Sequence, residues 1–515
     1  MTSALLSLAL ALLPVVGRQP DDDPRAVVRQ AVLAVEGDSA PSLRARWSAR
    51  VERDAADRAA TLGLATVARL TYDYDTAERF YRQLFATDSV QADRYAAYAR
   101  LGFAEGLEAR SFGAAALEQF TRARQVARAL RDRTAEGEAL IYLTFSRGRL
   151  QGIPVAEATL DSAAALIPAP EFAARARIAE RRAILYSLRG RTDAEAEAAQ
   201  AIALARRSGE LGALADAFRT LGKVLQYAGQ VDSALVVLRA AEDLYVRAHN
   251  RSALATSLIW QAQVLGATAR YGEWREVMRR ALREGEATKN PAAIADAHRA
   301  LGTLGIMLGD FASAAEHLEK STAISRETGD SSSVRVTQKI MLDVLIAGRA
   351  LERSKRLAHE LLATAVEPRA EFELRAALVA IAISERDWAG AERAIADARA
   401  VLSRLPGRRY AHWVLHDDAR LALARGDLAA AERALLASIE QAGGDAGDMM
   451  RADAHLRLAD VYARRGELER AERAMTSSLD ELDVWRGRST DAEVRRFAFQ
   501  ATALQHEAAA EKGEK

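Results

Sequence analysis

The chain has 515 residues, too many for a single core, because cores stop growing at about 250–300 residues; it must form several domains or a repeat array. Its 72 Lys and Arg residues balance 71 Asp and Glu residues, so no chain-wide charge attracts nucleic acid. No cysteine is present, which excludes disulfides, thiolate metal sites and thiol catalysis.

The first residues of the chain have the pattern of an export signal. Residues 4–16 form a short apolar stretch, and Arg18 and the acidic residues 21–23 follow it. This length suits a signal peptide better than a membrane span of about 20 residues. We expect residues 1–17 to be a signal peptide cleaved near Gly17, and the protein to be periplasmic or secreted. No Lys or Arg precedes the apolar stretch, so a buried leading helix or an uncleaved tether stays open as an alternative.

No later stretch is apolar for long enough to predict a transmembrane span. Alanine is abundant and only 10 prolines occur, which predicts an almost wholly helical protein. We expect residues 18–55 to be a linker with N-terminal capping helices, residues 56–483 to be the main helical array, and residues 484–515 to be a C-terminal helical cap and tail.

A repeat of about forty residues runs along the array. Its template is a small residue, a glycine seven residues on, an alanine five further, a large apolar residue four further and a small residue three further. Four copies fit it at every position: Gly222, Gly229, Ala234, Leu238 and Ala241; Gly302, Gly309, Ala314, Leu318 and Ser321; Ala419, Gly426, Ala431, Leu435 and Ser438; Ala459, Gly466, Ala471, Met475 and Ser478. The alanine position recurs at steps of 38 to 40 residues, at Ala77, Ala116, Ala156, Ala194, Ala234, Ala314, Ala391, Ala431 and Ala471, with Trp274 and Arg353 as irregular members. A constant period over four hundred residues predicts stacked repeats rather than an ordinary bundle.

The spacings of the template have a physical cause. The alanine, the large residue and the last small residue stand at i, i+4 and i+7, which is one face of a helix. Small groups on facing helices let two backbones approach closely, and the glycine lies where the first helix ends. We therefore expect helical hairpins that contact only their neighbours in the stack.

This pattern resembles the tetratricopeptide repeat (TPR) family, in its long-helix subclass of about forty residues per repeat. The resemblance implies an all-α fold, a right-handed α-solenoid of about eleven TPR-like helical hairpins. The C-terminal segment also resembles the region that precedes CHAT domains, which have a caspase-like protease fold. The residues that carry this second resemblance are Arg486, Asp491, Glu493, Arg496 and Phe497. CHAT catalysis uses a His–Cys dyad, so a chain without cysteine is not the protease itself.

No pattern of residues predicts catalysis, a metal site or a cofactor. His412 and His416 stand at i, i+4 on a helix, but HExxH spacing and a third histidine are missing, so we interpret them as part of a polar helix face. Gly302, Gly305 and Gly309 resemble a phosphate loop, yet they lie in a predicted helix and are interpreted as packing glycines. We expect the protein not to be an enzyme.

In TPR proteins the first helix of each hairpin lines a concave groove, which the resemblance implies for this chain. The template then places these residues in the groove: Asp216, Arg219, Lys223 and Gln226; Asp296, Arg299 and Thr303; Trp413, His416 and Arg420. The cations among them, Arg219, Lys223 and Arg299, predict an acidic or carboxylate-bearing partner. We expect an exported scaffold that binds a protein or peptide in its groove. The alternatives are the sensor region of a CHAT-type system, with the CHAT domain as its partner, and a TPR region that senses a small ligand.

Overall fold

The computed structural model describes residues 23–85, 93–110, 113–267, 270–365, 367–405, 410–441 and 445–487. Over these residues the chain is all α-helical, with one short 3-10 helix at Leu402–Arg404 and no strand. The helices are α1 (Pro24–Glu36), α2 (Ala40–Arg53), α3 (Arg58–Leu70), α4 (Tyr74–Phe85), α5 (Arg94–Ala109), α6 (Gly113–Ala129), α7 (Arg133–Gln151), α8 (Ile153–Leu166), α9 (Phe172–Leu188), α10 (Ala194–Ser208), α11 (Leu211–Tyr227), α12 (Val231–Arg247), α13 (Arg251–Ala267), α14 (Tyr271–Ala287), α15 (Pro291–Met307), α16 (Phe311–Glu327), α17 (Ser331–Ala347), α18 (Leu351–Ala363), α19 (Pro368–Glu385), α20 (Trp388–Val401), α21 (Ala411–Arg425), α22 (Leu428–Gln441), α23 (Asp445–Arg464) and α24 (Leu468–Gly487).

The helices form two compact units of stacked helical pairs. The first unit comprises residues 1–261 and 283–292, and the second comprises residues 262–282 and 293–515. We call the odd-numbered helices from α3 to α23 the first helices and the even-numbered helices that follow them the second helices. The protein is thus an all-α solenoid, as the repeat predicts.

The alanine position of the repeat lies at the helix contact in the described hairpins. Its members Ala77, Ala116, Ala156, Ala194, Ala234, Ala314, Ala391 and Ala431 are at most 5% exposed, and Ala471 is half-buried. In α12 the face continues through Leu238 and Ala241, both fully buried. Each hairpin therefore turns this stripe of its second helix inward, against its own first helix and the next hairpin.

The glycines of the template fall into two structural roles. Gly229, Gly309, Gly426 and Gly466 end their first helices with φ between 73° and 81°, a left-handed conformation that favours glycine. Gly222 and Gly302 lie at the helix contact instead. A Cβ added at Gly222 would lie 2.6 Å from Leu238 Cγ, and one at Gly302 would lie 2.7 Å from Leu318 Cγ. The large residue of the second helix thus occupies the space that the glycine leaves.

The irregular repeat around Arg353 is a shift of register by one residue. Arg353 is exposed and donates a hydrogen bond to Glu319, whereas Ser354 is fully buried at the corresponding position of α18. Ala358 and Leu361 complete the i, i+4, i+7 face. The assignment of Arg353 to the repeat position was therefore wrong, because the inward-facing residue is a serine, which a search for alanine passes over.

Helix α1 in the first unit does not follow the hairpin pattern. Its buried residues Val27, Ala31 and Ala34 pack on the first helices α3 and α5. Near its end, Glu36 accepts hydrogen bonds from the backbone N–H groups of Leu211 (2.9 Å) and Gly212 (2.7 Å), at the start of α11. Contacts across 175 residues contradict the expectation that each hairpin meets only its neighbours.

The second unit has its own cores between consecutive pairs. Leu318 of α16 packs with Met341 and Val344 of α17, and further along Leu435 of α22 packs with Leu458 of α23. No described helix of either unit is long and apolar enough to cross a membrane.

The glycine contact gives a test of the packing. Replacing Gly302 with alanine should destabilise the second unit by about 1–3 kcal/mol, because the added methyl group forces Leu318 out of its place. The control is Gly266→Ala in the same unit, where an added Cβ meets no atom within 4 Å and should cost no stability. Urea unfolding followed by circular dichroism compares the two variants. Equal midpoints would contradict the proposed close approach.

Candidate functional site

The first helices of the first unit line a cleft with a volume of about 580 Å³. We call this space the inner cleft. Residues of α3, α5, α7, α9, α11 and α13 face it, and the valines of α1 form one wall: Val28, Val32 and Val35. The polar side chains around it include Glu36, Arg69, Tyr72, Glu105, Glu108, Tyr142, Arg177, Glu210, Asp216 and Arg219. The first helices thus bring polar groups from distant parts of the sequence to one place.

A charged network joins the first four repeats on one side of the inner cleft. Arg69 of α3 lies 2.8 Å from Glu105 of α5, which also accepts a hydrogen bond from the hydroxyl of Tyr142 on α7. Arg177 of α9 donates to the same hydroxyl at 3.0 Å. Burial, together with the nearby Glu105 carboxylate, raises the pKa of Tyr142 well above its usual range, so the phenol stays protonated and donates.

A second cluster lies on α11, next to that network. Asp216 and Arg219 form an ion pair of 2.7 Å one turn apart, and the hydroxyl of Tyr245 donates to Asp216 at 2.6 Å. Burial and the repulsion of Asp216 raise the pKa of Glu180 on α9. One buried Glu180 oxygen has no hydrogen-bond partner.

Lys223 is the cation of this cluster that lacks a carboxylate at ion-pair distance. Its Nζ lies 3.8 Å from the ring centroid of Trp260, which is a cation–π contact. Burial, together with repulsion from Arg219 and Arg181, lowers the pKa of Lys223 to about 7. A neutral amine is therefore readily available at this position near neutral pH.

The charges of neighbouring first helices alternate in sign at the repeat spacing. Glu138 on α7, Arg177 on α9 and Asp216 on α11 are each 39 residues apart. Glu138 and Asp216 thus lie on either side of Arg177, one repeat away in each direction, and Glu138 is among the groups that raise its pKa. Such alternation satisfies charges that face a partly buried surface, where an uncompensated charge is costly.

Ten residues are expected in the groove from the sequence, and they lie in the two units separately. Asp216 and Arg219 line the inner cleft of the first unit, and Lys223 and Gln226 follow them along α11. In the second unit Asp296 pairs with Arg299 at 2.7 Å, and Thr303 donates to the Arg299 carbonyl at 3.0 Å.

The remaining three residues of that set lie on α21 in the second unit. Trp413 is 39% exposed, while His416 is bonded to Asp453 at 2.8 Å and Arg420 to Asp417 at 3.1 Å. Burial alone would raise the pKa of Asp453, but His416 and Arg457 lower it well below its usual range. The Nε2 of His416 is thus engaged by Asp453.

The structure corrects the electrostatic argument for an acidic partner. Arg219 and Arg299 are paired with Asp216 and Asp296 on their own helices, so neither brings a free positive charge to a bound segment. Sequence reasoning singled out the arginines and did not draw the consequence of an aspartate three residues before each, which is helical ion-pair spacing.

Sequence reasoning missed most of the inner cleft. Arg177 and Glu138 could have been found, because they precede Asp216 by one and two repeat lengths. Glu105 and Tyr142 give no comparable signal. The residues that carry the CHAT resemblance from Asp491 onward, and the residues before 23, lie outside the described residues.

These hairpins, with a turn glycine, small residues at the contact and a period of about forty residues, make the chain a TPR-like helical-repeat protein. No protein-family model matches the sequence, and no curated protein matches it. Among solved structures it is similar to the STAND ATPase PH0952 of Pyrococcus horikoshii, which has a TPR sensor (13% identity, TM-score 0.47, covering 66% of this chain and 54% of that one). It is also similar to the apo quorum sensor NprR of B. thuringiensis (14%, 0.40, covering 84% and 99%) and to yeast Tom70 (14%, 0.34, covering 95% and 97%).

The lowered pKa of Lys223 predicts a pH dependence of stability. An unfolded lysine has a pKa of about 10.4, so between that value and about 7 the unfolded chain binds the extra proton and the folded chain does not. This difference makes stability fall as pH falls through that window, and below about 7 the full cost is present. Lys223→Met removes the cost, so the variant should melt above the wild type at pH 6 and gain least at pH 10. An equal gain in melting temperature at both pH values would contradict a destabilising Lys223 ammonium group.

Proposed function

We propose that this protein is a scaffold or sensor that binds a segment of another protein in the inner cleft of its first unit. The observation that supports the proposal is the cleft itself, an open space of about 580 Å³ to which six first helices contribute polar side chains. Rigid helices hold these groups in ion pairs and hydrogen bonds, so little side-chain entropy is lost when a partner binds.

A second candidate function is supported by the size of the cleft. Pockets for small ligands span about 300–1,000 Å³, and the inner cleft falls within that range. A small-ligand sensor would use the same polar groups, with the ligand enclosed rather than attached to a longer chain. The two functions differ in whether a captured ligand extends out of the cleft.

We also propose that the chain is exported and that it serves a CHAT-type effector. The support for export is the apolar stretch at residues 4–16, and the support for the second proposal is the C-terminal resemblance around Arg496 and Phe497. Mass spectrometry of the protein from its host tests the first. A cytosolic product that still carries Met1 would contradict export.

Filling the cleft should abolish partner capture. Ala253, the third residue of α13, lines the inner cleft, so Ala253→Trp should exclude a bound segment while leaving helicity unchanged. The matched control is Ala115→Trp, at the third residue of α6, where the side chain is exposed. Affinity capture from the host, read by mass spectrometry, should recover partners with the wild type and the control alone. Equal loss with both variants would place the binding surface elsewhere.

A further inference from the structure

The lining of the inner cleft carries more carboxylates than cations. Five carboxylates face it, and three arginines oppose them. The carboxylates are Glu36, Glu105, Glu108, Glu210 and Asp216, and the arginines are Arg69, Arg177 and Arg219. Two of these arginines are already in ion pairs at 2.7–2.8 Å, with Glu105 and Asp216. The surplus within the lining is negative, opposite in sign to the expectation from sequence, although Glu210 also lies 3.9 Å from Arg29 of α1 and Glu36 accepts two backbone N–H groups.

Glu108 is the clearest member of that surplus. It lies in the last turn of α5 and is exposed to the cleft, and its carboxylate makes no hydrogen bond or ion pair with any described residue. The surrounding protein displaces water and raises its pKa, and the charge of Arg181 only partly offsets this rise. The guanidinium of Arg181 lies 4.5 Å from the ring centroid of Phe145, where it stacks on the ring. A carboxylate in this setting gains more from an incoming cation than one in open water does.

Helix α1 shows how the first unit binds basic side chains. Arg25 pairs with Glu171 at the start of α9 and approaches Glu138 of α7 to 3.9 Å. Arg29 donates to the carbonyl of Ser208 at 2.8 Å. These two arginines belong to a helix outside the hairpin stack. They are bound by the carboxylates and the carbonyl group just named. Glu108 lies on α5, a helix that packs on α1, and its carboxylate has no such basic partner among the described residues.

We propose that the inner cleft recognises a basic peptide segment, with an arginine or lysine side chain bound at Glu108. This inference rests on the proposed function and names the chemistry of its partner. Val28 and Val32 of α1 line the same cleft and supply an apolar wall for the methylene stem of that side chain. A guanidinium fits best, because its planar fork can donate two hydrogen bonds to one carboxylate.

The experiment uses the full chain and calorimetry with two probes, acetylated tetra-arginine amide and acetylated tetraglutamate amide, at one fixed ionic strength. The wild type should bind tetra-arginine and not tetraglutamate. Glu108→Gln should weaken tetra-arginine binding about tenfold, since one charged hydrogen-bonded contact contributes about 1–2 kcal/mol. Glu108→Arg should reverse the preference between the two probes.

The matched control is Glu118→Gln on α6, which removes a carboxylate from an exposed ion pair with Arg122 and should leave affinity unchanged. Melting curves of every variant identify any that fail to fold. If Glu108→Gln fails to fold, the Glu108→Arg variant decides the question, because the inference expects it to gain tetraglutamate binding. Equal affinity of the wild type for both probes, or equal weakening by Glu108→Gln and Glu118→Gln, would overturn the inference. If tetra-arginine fails while Ala253→Trp still abolishes partner capture, the cleft binds a partner of other chemistry and the proposed function stands.

Discussion

The close approach of the two helices in each hairpin is the constraint on which the rest of the structure depends. Where Gly222 and Gly302 leave no side chain, Leu238 and Leu318 fill the space, and the backbones approach to a distance that larger residues would prevent. Repeating this contact every forty residues fixes the angle and height of each first helix. The side chains of the inner cleft are therefore positioned by packing residues that never touch it.

A regular stack would also align like charges on neighbouring first helices, which is costly on a partly buried surface. The alternation of Glu138, Arg177 and Asp216 reduces that cost, since Arg177 lies between two opposite charges, each one repeat away. Compensation is incomplete at Glu108 and Glu180, where the surrounding protein raises the carboxyl pKa and nearby arginines offset the rise only in part. Partly compensated carboxylates in an otherwise balanced network mark a candidate binding surface.

The fold could be predicted from the sequence because the repeat template acts locally, through small residues at i, i+4 and i+7 and a glycine at the turn. The template gave the wrong position at Arg353. Ser354 occupies the inward-facing position there, and a template based on alanine does not detect another residue of similar size. The inner cleft could be predicted only as a set of first-helix positions. Which charges are compensated depends on neighbours 39 residues away, and sequence reasoning considered each helix alone.

Helix α1 is not part of the repeat, so the repeat template does not predict its contacts. These contacts change how the repeats of the first unit open. A pure solenoid gains stability from nearest neighbours, so its parts can open independently. Here Glu36 holds the start of α11, and Tyr72 accepts from the backbone N–H of Ser252 at 3.2 Å, contacts that close loops of 175 to 180 residues. Closing such loops ties the opening of early repeats to that of later ones. A segment that binds in the inner cleft contacts α1, which forms one of its walls. The affinity for that segment therefore depends on whether α1 stays packed on the first unit.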